Sequence, residues 1–345
     1  MKTNLYDLNL EQINTIVEEL GEPTFRSKQI WQGLYQNLWQ SMDDFTPLPL
    51  PFRDHLSQHY CLGSLTRETE ITSRDGFTQK YLYRLEDGAA IETVLMAYDN
   101  RQTVCISSQV GCAMGCGFCA TGNMGLIRNL SQGEIIEQVI KTESLLSLQG
   151  KTLTNVVLMG MGEPFHNYQS VMDAIRLLND PDGFGMGMRR FTISTVGLVP
   201  GIKKFTTEKT QINLAISLHA ADDGLRSSIV PGNKKYPIKD LLAACDEYIN
   251  ITHRRVTIEW ALIDRINDSL DQARKLANLL ADKQYHVNLI QLNPVDHYQG
   301  LPSADQQARD FKGILTSAGI PCTIRLRRGI DIQAGCGQLA SEANQ

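Results

Sequence analysis

Apolar residues recur at helical spacing through the first sixty positions. Leu10, Ile13, Ile16, Val17 and Leu20 mark one helix, which Gly21 and Pro23 stop. Phe25, Ile30, Trp31, Leu34 and Tyr35 mark a second, and beyond the break at 46–51 a third runs over roughly 52–60. The period then changes to two. Residues 81–85 and 91–96 predict a hairpin about the turn Glu86-Asp87-Gly88. Glu92 stands among apolar neighbours just after that turn, where a solvated strand glutamate is the default reading. From Thr103 onward short apolar runs alternate with amphipathic stretches. Strands are predicted at 104–108, 155–159, 191–195, 213–219, 256–262, 286–292 and 322–326. Helices are predicted at 131–146, 169–178, from about 200, and at 241–248, 271–280 and 304–318. Ser131 with Glu134 three residues on gives the helix after it a capping box. About six strand–helix units argue for a parallel sheet curved into a full or partial barrel.

Composition narrows this little. The chain has 345 residues, 42% of them hydrophobic and 21% charged, enough for one large domain and a small one. The polar start has no apolar h-region and no run is long enough to span a bilayer, so a cytoplasmic protein without a membrane partner is expected. Net charge is −5, which does not advertise nucleic acid. Local basic groups at Arg189-Arg190, Lys203-Lys204, Lys234-Lys235, Arg254-Arg255 and Arg325 to Arg328 could still neutralise phosphates together.

Three of the eight cysteines change the picture. Cys112, Cys116 and Cys119 lie in a loop rich in glycine and alanine, spaced Cys-x3-Cys-x2-Cys. Soft thiolates suit iron–sulfur clusters, whereas zinc would want a fourth protein ligand. With Phe118 just before the last cysteine, the loop resembles the motif of the radical S-adenosylmethionine (SAM) superfamily. That resemblance implies a three-cysteine [4Fe-4S] cluster with one open iron that chelates SAM. It also implies a (β/α)6 partial barrel, here with a small N-terminal helical domain and a β-hairpin extension.

Working residues of such barrels cluster at the C-terminal ends of strands. Gly162 and Glu163 end one strand, Ser194 a second, Ser217, Leu218 and His219 a third, and Asn293 a fourth. Glu163 is the candidate acceptor for the SAM amino group, and Ser194 and Asn293 are candidates to bind its ribose and carboxylate. His219 taken alone reads as a packing histidine. Cys61, Cys245 and Cys322 carry no motif. Cys336 lies between Gly335 and Gly337, flanks that would let a thiol swing between partners.

From Gly21 to Leu339 the chain resembles the RlmN/Cfr family of radical SAM RNA methyltransferases. The resemblance is carried by 105–122, Met159-Gly-Met-Gly-Glu-Pro164, Ser194-Thr-Val-Gly197, Ser217-Leu-His219, Val230-Pro-Gly-Asn-Lys-Lys235, Leu292-Asn-Pro294 and 328–339. It implies two SAM per turnover. One methylates Cys336; the second, at the cluster, yields a radical that takes hydrogen from the S-methyl group. The carbon radical adds to an adenine carbon, Glu92 is the implied proton acceptor, and Cys105 releases the crosslink as a transient disulfide with Cys336. The implied partners are 23S rRNA, tRNA and a flavodoxin-like reductase. RlmN-type enzymes methylate carbon 2 of an adenine in the peptidyl transferase centre and of one beside the tRNA anticodon. Cfr-type enzymes methylate carbon 8 of the same rRNA adenine and confer antibiotic resistance. Val110 and Pro164 lean toward RlmN, while Gly232 and Gly335 depart from its usual residues. The expected organisation is an RNA-binding-like helical unit at 1–64, a hairpin linker at 65–97, the radical SAM core at 98–330, and a tail at 331–345 carrying the methyl-accepting cysteine.

Overall fold

The structure, a computed structural model, describes residues 2–340. Its frame is a sheet of ten strands among the described residues. In chain order these are β1 (Thr66–Thr72), β2 (Thr78–Arg84), β3 (Ala90–Tyr98), β4 (Arg101–Cys105), β5 (Asn155–Leu158), β6 (Phe191–Thr195), β7 (Asn213–Ser217), β8 (Val256–Leu262), β9 (Tyr285–Gln291) and β10 (Cys322–Ile324). Spatial order follows chain order from end to end. From β4 to β10 every neighbouring pair is parallel, and the crossovers carry helices. β1 and β10 are the two edges, so the barrel is partial.

The predicted hairpin is larger than expected. β1, β2 and β3 form an antiparallel meander that joins β4 and extends the main sheet rather than linking two units. All seven residues of β1 are exposed, and Arg67, Glu68 and Glu70 place charge on that free edge. Charged, exposed edges resist pairing with other chains.

Inside the sheet, alternation separates two jobs. On β8, Val256, Ile258, Trp260 and Leu262 are fully buried against the helical layer. Glu259 and Ala261 point the other way, toward the concave face. Register places Ser217, Glu259 and Asn288 side by side across β7, β8 and β9.

The helices α1 (Leu10–Glu19), α2 (Phe25–Tyr35) and α3 (Leu50–His59) form close to their predicted places. α1 starts on a capping box: the Gln12 N–H donates to Asn9 Oδ1 at 2.9 Å and the Asn9 N–H to Gln12 Oε1 at 2.8 Å. This region packs on α4 (Gln132–Ser147), whose own box of Ser131 and Glu134 forms as the sequence predicts. The tie is a buried carboxylate. Glu137 accepts from Asn4 Nδ2 at 2.7 Å, the Ser64 N–H at 2.7 Å and the Leu65 N–H at 3.0 Å. Burial raises its pKa, and these donors oppose that shift.

Glu137→Ala strands four donors, the Ser64 hydroxyl included. It is expected to lower stability by about 3 kcal/mol in urea unfolding. Hydrogen exchange should show lost protection at the Ser64 and Leu65 amides; protection equal to the parent's would contradict this role for Glu137.

Candidate active site

The cysteine loop hangs from an irregular, buried segment, 106–109, that leaves β4. Part of its backbone bonds to 157–161, the Ile106 N–H to the Val157 carbonyl and the Ser108 N–H to that of Met161, and side chains supply the rest. Gln138 Oε1 accepts the Ser107 N–H at 2.8 Å, and Gln138 Nε2 donates to the Ser107 carbonyl at 2.9 Å. Asn167 Nδ2 donates to the carbonyls of Ser108 and Leu130. Gln109 Oε1 accepts the Glu163 N–H at 2.8 Å, which joins this segment to the end of β5. Gly162 makes that approach possible. Its φ is +103°, and a Cβ there would lie 2.6 Å from the Gln109 Cβ. The loop itself is set in a hairpin of 109–112 with 125–129, which the sequence pattern did not reveal.

Cys112, Cys116 and Cys119 come close enough to act on one another electrostatically. Burial raises all three thiols, Cys112 to about 12; the Gly122 and Thr121 N–H groups partly offset this at Cys119. Among the described residues, no three histidine, cysteine or acidic side chains converge on one point as ligands of a single ion would. A four-iron cluster asks for something else: each thiolate takes its own iron at a separate corner. The donor set is all sulfur, and it fits such a cluster.

A cavity of about 950 Å³, its open mouth included, adjoins Cys116 and Cys119. Gly162, Glu163, Ser194, Ser217, His219 and Asn293 line it, as the strand-end reasoning predicts. Leu218 does not. Its side chain is wholly buried in the core and only its backbone serves the site, because alternation turns it away from its two neighbours. Glu163 is fully enclosed, and burial lifts its pKa to about 7. Both its oxygens already accept backbone N–H groups, Phe165 at 3.0 Å and Val196 at 2.9 Å, so it also pins the ends of β5 and β6 together. Ser194 Oγ and Ser217 Oγ lie 3.4 Å apart. His219 Nδ1 accepts the Ala261 N–H at 3.0 Å, leaving Nε2 to carry the proton. Burial pushes its pKa down to about 3, so the ring stays neutral. Asn293 Oδ1 and Glu259 Oε2 are buried in the lining without a hydrogen-bond donor. Glu259 Oε2 has only the ion partner Arg325 Nη1 at 4.0 Å, and acceptors without a hydrogen bond suit a ligand bearing an ammonium group and hydroxyls, as SAM does.

A second cavity, about 610 Å³, is lined by Cys105, Met96, Tyr98, Arg325 and Arg328, among others. Cys336 borders both cavities. It is exposed to their space while crowded by protein, and burial raises its thiol, with Arg325 pulling the other way and Glu259 adding to the rise. Cys105 is buried, raised to about 12 by burial and then by Cys336, and both sulfurs are free thiols. The loop around Cys336 is hydrogen-bonded on both sides of the cysteine. Asn293 Nδ2 donates to the Cys336 carbonyl at 3.0 Å, the Ala120 N–H to the Gly337 carbonyl at 2.8 Å, Gln338 Nε2 to the Pro294 carbonyl at 2.8 Å, and Thr121 Oγ1 to the Leu339 carbonyl. Gly335 lets Asn293 approach: a Cβ there would meet Asn293 Nδ2 at 2.5 Å. A Cβ at Gly232 would meet nothing, so that departure from the usual residue has no steric consequence.

Glu92 is buried rather than solvated. Its Oε1 lies 2.9 Å from Lys80 Nζ, and it lines neither cavity. Lys80 also reaches the Gln333 carbonyl at 3.3 Å, which links the pair to the Cys336 loop.

Two residues escaped the sequence reading. Arg226 is fully buried on the short helix Asp223–Ile229. Its Nε donates to the Leu218 carbonyl at 3.0 Å, Nη1 to Asn233 Oδ1 at 2.8 Å, and Nη2 to the Val196 and Ser217 carbonyls. It thus fastens the ends of β6 and β7 to the stretch behind the cysteine loop, where the Gly117 N–H donates to the Ile229 carbonyl. Burial lowers its pKa to about 10. Glu259 is the other; its one legible signal is a lone carboxylate at an alternate position of an apolar strand.

Comparison with known proteins follows the same lines. A family model described as "Radical SAM superfamily" matches residues 106–278, and one described as "Ribosomal RNA large subunit methyltransferase N-terminal domain" matches residues 3–62. The chain is similar to a probable dual-specificity RNA methyltransferase RlmN of Chloroflexus aurantiacus, with 47% identity covering 97% of this chain and 92% of the relative. It is also similar to the dual-specificity RNA methyltransferase RlmN 1 of Myxococcus xanthus, with 46% identity covering 97% and 94%. The crystal structure of a radical SAM methyltransferase from Sphaerobacter thermophilus superimposes with a TM-score of 0.97 at 47% identity, covering 99% of this chain and all of that one.

Arg226→Met removes the donors that four acceptors share. The expected cost is about 3–5 kcal/mol in urea unfolding, with reconstituted protein holding clearly less iron per chain than the parent. Unchanged stability and iron content would remove Arg226 from the framework of the site.

Proposed function

The chain belongs to the radical SAM superfamily and, within it, to the dual-specificity RNA methyltransferases RlmN, and on that footing we propose that it methylates carbon 2 of an adenine in 23S rRNA and in tRNA through Cys336. Its cofactors are a [4Fe-4S] cluster and SAM. Together they supply, when bound, a radical able to take hydrogen from an unactivated methyl group.

The observation that carries the reading is the place of Cys336 in the wall between two cavities. Cys112, Cys116 and Cys119 hold the cluster on one side. Glu163, Ser194, Ser217, His219 and Asn293 orient SAM there, with Gly162 admitting close backbone contact. The Cys336 thiol, once deprotonated, takes a methyl group from one SAM and later presents it as the carbon that joins adenine. Adenine carbon 2 is not nucleophilic, so the methyl must arrive as a radical; a polar transfer has no electron pair to accept it. Addition leaves an unpaired electron on the adenine ring; the adduct sheds that electron to the electron-transfer system that the bound cluster would supply, and its carbon 2 proton, for which Glu92, ion-paired to Lys80, is the proposed final acceptor. The Cys105 thiolate then attacks the Cys336 sulfur, forming the S–S bond and breaking the S–C bond, and the carbon left on the nucleotide takes up a proton to become the methyl group. Restoring both thiols takes two electrons, and a flavodoxin-like reductase is the proposed donor. Among the described residues, no helix is long and apolar enough to cross a membrane. RNA modification fits a cytoplasmic site of action.

Nucleoside mass spectrometry after incubating reconstituted protein with an rRNA fragment decides the target carbon. 2-Methyladenosine is the expected product; 8-methyladenosine would mean the carbon 8 reaction, and unmodified adenine under reducing conditions would overturn the proposal. Cys336→Ala should form no product, and Cys105→Ala should leave protein covalently joined to RNA on a denaturing gel. Full activity in Cys336→Ala would rule out a methyl relay through the protein.

A further inference from the structure

Strand register sets several groups of the methyl relay on one face of the sheet. Lys80 on β2, Val94 on β3 and Cys105 on β4 stand directly across from one another. Residues opposed in this way point to the same side, and Glu92, two residues before Val94, shares it. The diagonal step from Lys80 to Glu92 is within reach of a long side chain. Lys80 Nζ lies 2.9 Å from Glu92 Oε1, and both side chains are largely buried. The same Nζ donates to the Gln333 carbonyl at 3.3 Å.

That carbonyl belongs to a strained residue. Gln333 has a φ of +51°, a left-handed conformation that a side chain disfavours unless the surroundings hold it. Cys336 follows three residues on. β2 and the turn before it hold the same stretch at two further points. The Arg74 N–H donates to Asp331 Oδ2 at 2.9 Å, and a Cβ added at Gly329 would meet Thr78 Cγ2 at 2.7 Å. Of these three contacts, the one from Lys80 alone extends to the proposed proton acceptor. Glu92 lines neither cavity, so its relation to the Cys336 strap depends on side chains that reach both. An ammonium group suits the task, because it has three N–H donors and can hold a carboxylate and a carbonyl at once.

We propose that Lys80 is a positioning residue for the breakdown of the protein–RNA adduct, holding the Glu92 carboxylate and the strap that carries Cys336 in one fixed relation. This deepens the RNA-methylating reading above and rests on it. The adduct is attached to Cys336, and the proton it loses from carbon 2 ends on Glu92. A small displacement between carrier and acceptor costs rate out of proportion to its size. Lys80 touches both ends of that path and neither reacting atom, so it acts through them.

The test compares the full chain with Lys80→Met, which keeps the stem and removes the charge. Single turnovers use an rRNA hairpin with hydrogen or deuterium on carbon 2 of the target adenine. Lys80→Met should form 2-methyladenosine about tenfold more slowly and accumulate the protein–RNA adduct on a denaturing gel. Deuterium should slow Lys80→Met more than it slows the parent, because loss of the carbon 2 proton becomes the slow step. Lys80→Arg, which keeps the charge, should restore most of the rate and the parent's response to deuterium. Hydrogen exchange without RNA should be faster at the Ala334 and Gly335 amides of Lys80→Met. A parent-like rate in Lys80→Met would overturn the assignment. So would a slower reaction with neither accumulated adduct nor a larger deuterium effect, which is the mark of a merely structural lysine. If instead the parent itself forms neither adduct nor methyladenosine, the RNA-methylating reading fails.

Discussion

Buried backbone must be hydrogen-bonded, and at the active end of this molecule side chains complete what the sheet ladders leave unsatisfied. Several parallel strands deliver irregular segments to the same rim, fastened by side chains from their neighbours. Gln138 and Asn167 hold 106–109, Gln109 and Glu163 join β5 to what lies on either side, Arg226 gathers the ends of β6 and β7, and Asn293 holds the Cys336 loop. The cysteine loop can be short of side-chain bulk because its geometry is imposed from behind. Charged groups in this lattice are perturbed for the same reason: Glu163, Arg226 and His219 are all shifted toward their neutral forms by burial.

That framework places one thiol between two chambers. The chain leaving β10 crosses from the last parallel strand toward the meander, touches it through Asp331 and Lys80, and returns to the cysteine loop through Gly337 and Leu339. Cys336 sits on this strap where the cavities meet. Arg325 and Glu259, 4.0 Å apart, oppose each other in their effect on its thiol. An enzyme that makes a radical in one chamber and modifies RNA in the other needs a carrier in the dividing wall, and a sulfur is the one atom there that can accept a methyl group and later part with its carbon.

Much of this was legible in sequence because period and spacing are local. The seven parallel strands, the capping box at Ser131 and the three-cysteine spacing are patterns over a few residues, and the structure reproduces them. What was not legible depends on contacts far apart in the chain. Residues 65–100 read as strand-like, but that β1 joins the main sheet through the meander depends on pairing its exposed, charged residues do not signal. Leu218 looked like part of a strand-end trio, yet alternation buries it between two cavity residues. Glu92 looked solvated because its partner Lys80 lies on the adjacent strand. Arg226 carries no motif; its four acceptors come from residues 196, 217, 218 and 233, which meet only once the barrel forms. The glycines around Cys336 suggested freedom, whereas Gly335 serves close packing against Asn293.

The central claim is that the methyl group passes through Cys336 on its way to RNA. It is tested most directly by a single turnover in which the Cys336 methyl is isotopically labelled beforehand and the added SAM is not. The account predicts that the methylated adenine carries the label and that Cys336 loses it. Unlabelled methyladenosine, with the label still on Cys336, would contradict it.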